Sequence, residues 1–410
     1  MAAAFAGARF SLLGSGNSTA VPWLKCVIDP ASSCPVCKDC VLDPLSRNRR
    51  NNPSGVISFA HPDGRARHVL VDVGKTFRDA VQRHFPRLGI ARVDAVILTH
   101  GHMDAFGGLD DLRDVSPNVL LPVYLSSSCM EVVQRTFSYL VKPPATKGLF
   151  ISHIEWRIIH PWQPFEVEGG LLVTPLPVEH GPPLTMLGFE FRCVVAPSSA
   201  LRVGGESGEE ESAVHEGVGG GETSSGCDGG DEGGARGGAG AATRAAESGR
   251  LVYISDVAAL PADTRAFLLD GRPIALLVLD ALSRTPYPTH FSLGQAFACA
   301  ADLRASGTTV LVGMNHAVDV RTEGPALAAA AAEHGLRCEM GYDGWECALK
   351  RGQGGGASSL HQAEELVAIA RAAAPSMPHP TGGSPMQLED GRVAFTYRDA
   401  AQGLFPPLDK

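Results

Sequence analysis

The chain has 410 residues, of which 44% are hydrophobic, so it is long enough for one large domain or two ordinary ones with a sizeable core. No apolar run reaches the roughly 18 residues of a membrane helix, and the N-terminus lacks the hydrophobic segment of a secretory signal, so we expect a cytoplasmic protein that does not span a membrane. The net charge of −9 comes mostly from residues 203–249, which hold ten acidic residues and two arginines, and the remainder indicates neither a nucleic-acid-binding nor a strongly acidic surface.

Short strands interleaved with helices are predicted along the chain, and this alternation indicates a layered α/β protein rather than a helical bundle. The predicted strands, in chain order, are Phe10–Leu13, Val69–Val71, Asp94–Leu98, Val119–Leu125, Leu171–Leu176, Met186–Val195, Leu251–Ile254, Leu276–Leu279 and Thr309–Val312. Helices are predicted at Thr76–His84 and at Leu293–Ala305, the second with Ser292 as its N-cap. Asp94–Leu98 is nearly all apolar, as expected of a buried central strand.

Four of the ten cysteines, Cys26, Cys34, Cys37 and Cys40, fall within fifteen positions. In a chain without a secretion signal, such spacing favours a metal site over disulfides. The alternative is a set of buried thiols without a special role. We favour a structural metal because the four cysteines are so closely spaced.

The strongest functional signal is Thr99-His100-Gly101-His102-Met103-Asp104, which directly follows the predicted strand Asp94–Leu98. Two imidazoles and a carboxylate alternate here at the point where a buried strand enters a loop, and ligand sites of α/β sheets commonly lie at the carboxyl ends of strands. These are ligands that zinc takes, and catalytic zinc sites keep one position for water. A lone H-x-H pair is weak evidence, but the aspartate and the preceding strand make metal binding the favoured interpretation.

Residues 203–249 are rich in glycine, alanine and glutamate and have no apolar period, so they cannot bury enough surface to offset the entropy of ordering them. We interpret them as a disordered insertion in a hairpin formed by Met186–Val195 and Leu251–Ile254. The insertion then interrupts a single hydrolase domain at residues 1–350. Residues 351–410 are predicted to be a C-terminal extension, with a helical stretch at 358–374 and a Pro/Gly-rich tail of no assigned function.

The motifs resemble those of the metallo-β-lactamase superfamily, whose hallmark is H-x-H-x-D-H after a strand, over most of residues 8–350. The matching segments are Leu13-Gly14-Ser15-Gly16, Asp72-Val73-Gly74, Gly107-Gly108-Leu109-Asp110-Asp111, Pro177-Val178-Glu179-His180-Gly181 and Ile254-Ser255-Asp256. The chain is more narrowly similar to the branch that contains the phosphoribosyl cyclic phosphate phosphodiesterase of the carbon–phosphorus lyase pathway. That likeness is carried by the cysteine cluster, Asp280-Ala281-Leu282, Thr289-His290-Phe291-Ser292-Leu293, Gly313-Met314-Asn315-His316 and Tyr342-Asp343-Gly344.

The resemblance implies a four-layer αββα sandwich, with one catalytic zinc and one structural zinc. The implied catalytic zinc ligands are His100, His102, His180 and Asp256. The implied structural ligands are Cys26, Cys34, Cys37 and His316, with Cys40 as an alternative for one of the three thiols. Asp104, Asp256 and His290 are the implied catalytic groups: the two aspartates would orient water, and His290 would contact the substrate or protonate the leaving group. The alternative for His290 is a surface histidine near a helix start.

Two departures from the superfamily pattern concern a second catalytic metal. Ala105 follows Asp104 where the superfamily usually has histidine, and Gly313 stands where a last metal-binding histidine is often found. Asp104 and the shared Asp256 remain, and two carboxylates without imidazole should hold a transition metal weakly. We therefore expect a single catalytic zinc, with a contribution from Asp110 or Asp111 to a second metal left open.

The expected function is zinc-dependent hydrolysis, most simply of a small and possibly cyclic phosphodiester, by a metal-activated water molecule. The alternatives are a non-catalytic metal-stabilised binding protein, a ribonuclease Z-like nuclease and a thioesterase on the same fold. We expect no nucleic-acid partner, because the sequence of the folded part does not indicate a basic surface. Whether the chain forms a homodimer is left open. Arg47, Arg49 and Arg50 form a short basic run that is typical of a solvated loop. The sequence contains no G-x-S-x-G motif, so it does not indicate a serine hydrolase of the α/β-hydrolase type.

Overall fold

The computed structural model describes residues 8–117, 119–142, 151–181, 185–193, 250–349 and 394–395. The predicted insertion at residues 203–249 lies outside the described residues, as does the predicted extension at 351–410 apart from residues 394–395. Among the described residues, no helix combines the length and the apolar character that crossing a bilayer requires.

Most strands belong to two seven-stranded sheets. The strands are β1 (Ala8–Gly14), β2 (Ser54–Ala60), β3 (Ala66–Val71), β4 (Ala95–Ile97), β5 (Leu121–Leu125), β6 (Ile154–Ile158), β7 (Phe165–Val167), β8 (Leu171–Glu179), β9 (Thr185–Cys193), β10 (Arg250–Ile254), β11 (Leu260–Pro261), β12 (Ile274–Asp280), β13 (Thr308–Val312), β14 (Arg337–Met340), β15 (Glu346–Leu349) and β16 (Ala394–Phe395). The first sheet has the order β15-β1-β2-β3-β4-β5-β6, and the second has the order β14-β13-β12-β10-β9-β8-β7. Strands β11 and β16 form a separate antiparallel pair.

Helices lie between the strands in the chain. They are α1 (Leu24–Ile28), α2 (Pro35–Leu42), α3 (Phe77–Leu88), α4 (Met103–Phe106), α5 (Leu112–Val115), α6 (Ser127–Thr136), α7 (Ser138–Val141), α8 (Ala262–Leu268), α9 (Leu293–Asp302) and α10 (Val320–Glu333), with a 3₁₀ turn at Leu109–Asp111. The predicted N-cap of α9 is confirmed: Ser292 and Gln295 form a reciprocal capping box, which satisfies two backbone N–H groups at the helix start.

Three apolar clusters hold these elements in layers. Between the sheets, Phe10 and Ile57 of the first sheet share one buried cluster with Phe189 and Tyr253 of the second. A second cluster packs α3, α4 and α6 on the outer face of the first sheet, and a third packs α8, α9 and α10 on the outer face of the second. Because each sheet is covered by its partner on one face and by helices on the other, the predicted four-layer αββα sandwich is confirmed.

The parallel part of each sheet brings several carboxyl strand ends together. Strands β3, β4 and β5 are parallel, and β10, β12 and β13 are parallel. Strand β8 runs the same way as β10, because β9 is antiparallel to both. The polar loops after β4, β8, β10 and β12 therefore leave their sheets at strand ends, where α/β proteins commonly bind ligands.

Strands β9 and β10 flank the predicted insertion and form the expected antiparallel pair, with Leu251 opposite Phe191. At the base of this hairpin, the buried Arg250 guanidinium donates from Nε to Glu190 Oε2 at 2.6 Å. The two strands thus have backbone and side-chain connections that do not depend on residues 194–249.

We expect a chain in which residues 196–247 are replaced by a short Asn-Gly turn to fold normally. Shortening the loop lowers the entropic free-energy cost of closing it by about 2 kcal/mol. The midpoint of thermal unfolding should therefore stay the same or rise. Circular dichroism during heating would test this, with metal content as a second readout. Aggregation, or a lower unfolding midpoint, would show that the excised residues contribute to the folded domain.

Candidate metal centre

Four of the predicted catalytic ligands converge at the carboxyl ends of strands that are far apart in the sequence. His100 and His102 follow β4, His180 follows β8, and Asp256 follows β10. One ring nitrogen from each of the three histidines lies within 4.8 Å of those of the other two. His100 Nε2 also lies 3.4 Å from Asp256 Oδ2, so all four side chains surround one small volume.

The orientation of His100 is fixed by a hydrogen-bonded chain behind it. The Thr99 hydroxyl donates to Asp72 Oδ2 at 2.8 Å, and it lies 2.8 Å from His100 Nδ1, from which it accepts. This assigns the proton to Nδ1 and leaves the lone pair on Nε2. His100 Nε2 is buried and has no hydrogen-bond partner in the described structure, and an unpartnered buried acceptor at a cluster of ligands fits an absent cation. Asp72 therefore supports the histidine loop through Thr99 and does not belong to a candidate metal group among the described residues.

His180 is oriented in a similar way by a backbone group. Its Nδ1 donates to the carbonyl oxygen of Thr289 at 2.9 Å, because a carbonyl can only accept. Burial lowers the pKa of His180 and lowers that of His100 well below its usual range, and the neighbouring imidazoles act in the same direction. Neutral imidazoles with their second nitrogen already bonded are the form in which histidine binds a metal.

Two buried aspartates complete the acidic side of the centre. Asp104 Oδ1 lies 3.8 Å from His100 Nε2, and His100, Asp104 and Asp256 form a second group that could hold a metal. Burial raises the pKa of Asp256 well above its usual range, and the nearby charge of Asp104 raises it further. A divalent cation between these carboxylates would offset both effects.

His290 lies at the edge of this centre with Asp280 behind it. Its Nδ1 donates to the fully buried Asp280 Oδ2 at 2.9 Å and lies 3.9 Å from Asp256 Oδ1, and its ring centroid is 4.8 Å from that of His180. Burial alone would lower the pKa of His290, but the charge and hydrogen bond of Asp280 and the charge of Asp256 outweigh it and raise the pKa to about 9. This half-buried position differs from that of a free surface histidine.

The structure gives a physical reason for the missing histidine at position 313. Gly313 has a φ of +79°, and a Cβ atom added there would lie 2.3 Å from Asp280 Oδ1. No side chain fits at this position unless Asp280 moves. The two acids left open for a second metal are occupied elsewhere: Asp110 accepts from Arg113 and Tyr139, and Asp111 pairs with Arg78. Neither belongs to a candidate metal group among the described residues.

A separate group of candidate metal ligands joins the cysteine segment to a loop that is distant in the sequence. Cys26, Cys34, Cys37 and His316 each offer one ligand atom within 4.8 Å of the others. His316 Nδ1 lies 3.6 Å from Cys26 Sγ and 3.4 Å from Cys34 Sγ. Zinc–sulfur and zinc–nitrogen bond lengths place tetrahedral S and N ligands about 3.6 Å apart, so the spacing fits zinc. Cys40 is buried outside this group, which removes the support for it as a substitute ligand.

The expectation of a solvated basic loop at Arg47, Arg49 and Arg50 is wrong for Arg50. Arg47 is exposed, whereas Arg50 is 1% exposed and has the largest of the fully buried side chains. The run of basic residues did not predict the burial of Arg50, because burial of an arginine depends on carbonyl acceptors far away in the chain. In the sequence, Asp280 stands out only as part of a family motif, and it contacts His290, ten positions further along, in the irregular segment between β12 and α9, which no periodicity describes.

Comparisons with known proteins agree with this architecture. A family model described as a β-lactamase superfamily domain matches residues 67–217. The crystal structure of a diphosphatase from the PhnP family is 22% identical, with a TM-score of 0.56 over 83% of this chain and 96% of that chain. Zn²⁺-bound PqqB from Methylobacterium extorquens is 18% identical, with a TM-score of 0.54 over 83% of this chain and 99% of that chain.

A curated relative, an octanoyltransferase from Porphyromonas gingivalis, is 33% identical over 185 residues. The matched part is 44% of this chain but 32% of that protein, so the chain spans about a third of the length of this relative. The activity in its name therefore cannot be assigned to the shared part.

Proposed function

Because the chain has the metallo-β-lactamase fold, we propose that it is a zinc-dependent hydrolase of a small phosphodiester. The observation that carries the proposal is the convergence of His100, His102, His180 and Asp256 from three separate strand ends. Three imidazoles and one carboxylate are a ligand set typical of zinc, with room for a water or a substrate oxygen. The buried and unpartnered His100 Nε2 gives independent support.

A divalent metal held there would activate water at neutral pH and polarise the oxygen of the bond to be cleaved. The protein's own groups would do the rest. Asp256 and Asp104 would orient the attacking water by accepting its hydrogen bonds, and one of them would take its proton. His290, which is hydrogen-bonded to Asp280, would stabilise negative charge on the substrate or protonate the leaving oxygen.

The substrate class rests on two supports. One of the similar solved structures is described as a diphosphatase. An imidazole with a raised pKa at the edge of the centre suits an anionic substrate. We also keep a cytoplasmic location as part of the proposal, because the Cys₃His group requires reduced thiols.

The proposal includes two zinc ions per chain, one in each group. A second catalytic metal should bind weakly, because Ala105 and Gly313 supply no imidazole and Asp280 occupies the space beside Gly313. Elemental analysis of the purified full chain is expected to give two equivalents of zinc after mild chelation. Three tightly held equivalents would overturn the single-metal catalytic centre.

Thr99→Val is expected to weaken zinc binding at the catalytic centre by about 10–100-fold, the usual effect of removing an outer hydrogen-bond partner from a metal-binding histidine. The substitution keeps the side-chain shape but removes the link between His100 and Asp72. Competition with a chromogenic chelator would measure the change. Thr136→Val is a matched control, because Thr136 is exposed on α6 and its hydroxyl donates to the Val132 carbonyl of the same helix. Unchanged zinc affinity in Thr99→Val would contradict the proposed orientation of His100.

His290→Ala is expected to lower kcat by about 10²–10⁴-fold for phosphodiesters with alkoxide leaving groups, if His290 protonates the leaving oxygen. The loss should be much smaller for bis(4-nitrophenyl) phosphate, whose leaving group is stable without a proton. Zinc content should stay at two equivalents. An equal loss for both substrate types would indicate charge stabilisation rather than proton donation, and no loss for either would leave His290 without a catalytic role.

The rival from another class is a non-catalytic metal-stabilised binding protein, which the missing ligands at Ala105 and Gly313 favour. It predicts two zinc ions and no hydrolysis of any phosphodiester by the wild-type chain. Hydrolysis of bis(4-nitrophenyl) phosphate that depends on His100 and His102 would exclude it. A nuclease or thioesterase would be revealed by assays with single-stranded RNA and with a thioester of glutathione.

A further inference from the structure

Arg50 is a buried cation that forms no ion pair with a carboxylate among the described residues. Its NH2 nitrogen donates to the carbonyl oxygens of Asn315 at 2.8 Å and Val318 at 3.0 Å, and its NH1 nitrogen lies 3.4 Å from Asn48 Oδ1. Its Nε has no hydrogen-bond partner among the described residues. A buried guanidinium is normally paired, because removing its charge from water costs several kcal/mol.

The groups around Arg50 lie at the cysteine cluster. The carbonyls of Asn315 and Val318 flank His316 in the sequence, so the guanidinium contacts the loop that carries this histidine. Burial lowers the pKa of Arg50 to about 10, and the largest opposing influence is Cys40, with Cys37 also contributing. The acids that also act on it, Asp343 and Asp319, accept hydrogen bonds from Asn51 N and Asn48 Nδ2, and neither forms an ion pair with Arg50 among the described residues.

A Cys₃His group that held a divalent metal would carry the compensating negative charge. Metal-bound cysteines are thiolates, so three of them with one divalent ion and a neutral imidazole carry a net charge of −1. The guanidinium carries +1. Together they are neutral, whereas without the metal group the guanidinium would be an uncompensated buried charge, and without Arg50 the half-buried metal group would keep its negative charge.

We propose that Arg50 is the counter-charge of a metal–thiolate centre at Cys26, Cys34, Cys37 and His316, so that metal affinity and the burial of Arg50 depend on each other. This inference rests on the structural-zinc part of the proposed function and is independent of the catalytic centre. A purely structural role, in which the guanidinium only bridges two carbonyls, is the competing explanation.

Charge and shape are separated by comparing Arg50→Gln with Arg50→Lys in the full chain, with Co²⁺ as the metal. Cobalt bound to thiolates gives a charge-transfer band that reports this centre and not the histidine centre. We expect Arg50→Gln to weaken Co²⁺ binding at least tenfold in competition with a chelator, and Arg50→Lys to weaken it less than threefold. Arg47→Gln, which removes an exposed charge from the same loop, should leave it unchanged. Equal weakening by Gln and Lys would overturn the counter-charge.

A second measurement, the change in the midpoint of thermal unfolding caused by Arg50→Gln, separates the counter-charge from a purely structural bridge. In the metal-loaded wild-type background, Arg50→Gln should lower the midpoint of thermal unfolding. In the Cys34→Ser background, where the thiolate charge is absent, it should leave the midpoint unchanged or raise it, because it removes an unpaired buried cation. The same loss in both backgrounds would show a structural bridge only. No thiolate–cobalt band in the wild-type chain would refute the metal site itself, and activity assays of the histidine centre would be unaffected by that result.

Discussion

Replacing His100 and His102 together with alanine is expected to lower phosphodiester hydrolysis by more than about 10³-fold. Losing even an outer partner of a metal-binding histidine costs about 10–100-fold, and this variant loses two direct ligands. The remaining groups, His180 and Asp256, cannot hold a divalent ion against buffer and water. Zinc content should therefore fall from two equivalents to one.

The fold should survive this change. His102 is exposed and belongs to no apolar cluster. His100 follows the carboxyl end of β4 and is not part of the apolar cluster between the sheets. His160→Ala is a matched control, because that exposed histidine belongs to no candidate metal group among the described residues and carries no predicted role. Unchanged hydrolysis with one zinc lost would show that catalysis occurs elsewhere, and two retained equivalents would refute the ligand assignment.

The strand pattern of the sequence predicted a layered α/β protein, because continuous apolar runs such as Asp94–Leu98 mark strands that are buried on both faces. The four-layer αββα arrangement followed only from the family resemblance. The sequence pattern did not reveal α10, whose sequence contains Gly324 and Pro325 near its start and then a run of alanines with little apolar periodicity. Here tertiary contacts, such as the buried Leu327, decide the structure. It also missed β2, because Ser54 and Ser58 interrupt its apolar letters although both side chains are buried.

The sequence alone predicted only those ligands of the candidate site that lie together in a short motif. His100, His102 and Asp104 form such a motif, whereas His180, Asp256 and His316 were found only through the family resemblance. The groups behind the ligands had no such signal. The acceptor for His180 is a backbone carbonyl at Thr289, and a backbone acceptor leaves no trace in the amino-acid letters. Supporting contacts of this kind require coordinates.

Cys34→Ser is expected to remove one zinc equivalent and to destabilise the protein by about 3 kcal/mol or more, which lowers the midpoint of thermal unfolding by roughly 6–12 °C. The reason is the small core around the cysteines. Only Val21, Val36, Cys37 and Cys40 form the buried cluster there, separate from the three main ones, and α1 has no buried residue. So few apolar groups cannot hold a segment of this length without a metal.

The control for Cys34→Ser is Cys347→Ser, at a half-buried thiol on the edge strand β15 that belongs to no candidate metal group among the described residues. It should keep two zinc equivalents and the wild-type midpoint. Chelation of the wild-type chain under native conditions should reproduce the Cys34→Ser loss of stability, because both remove the link between α2 and His316. If Cys34→Ser kept two equivalents, the cysteines would be ordinary thiols. If it lost one equivalent without loss of stability, the metal there would have a role other than holding the fold, and the burial of Arg50 would need another explanation.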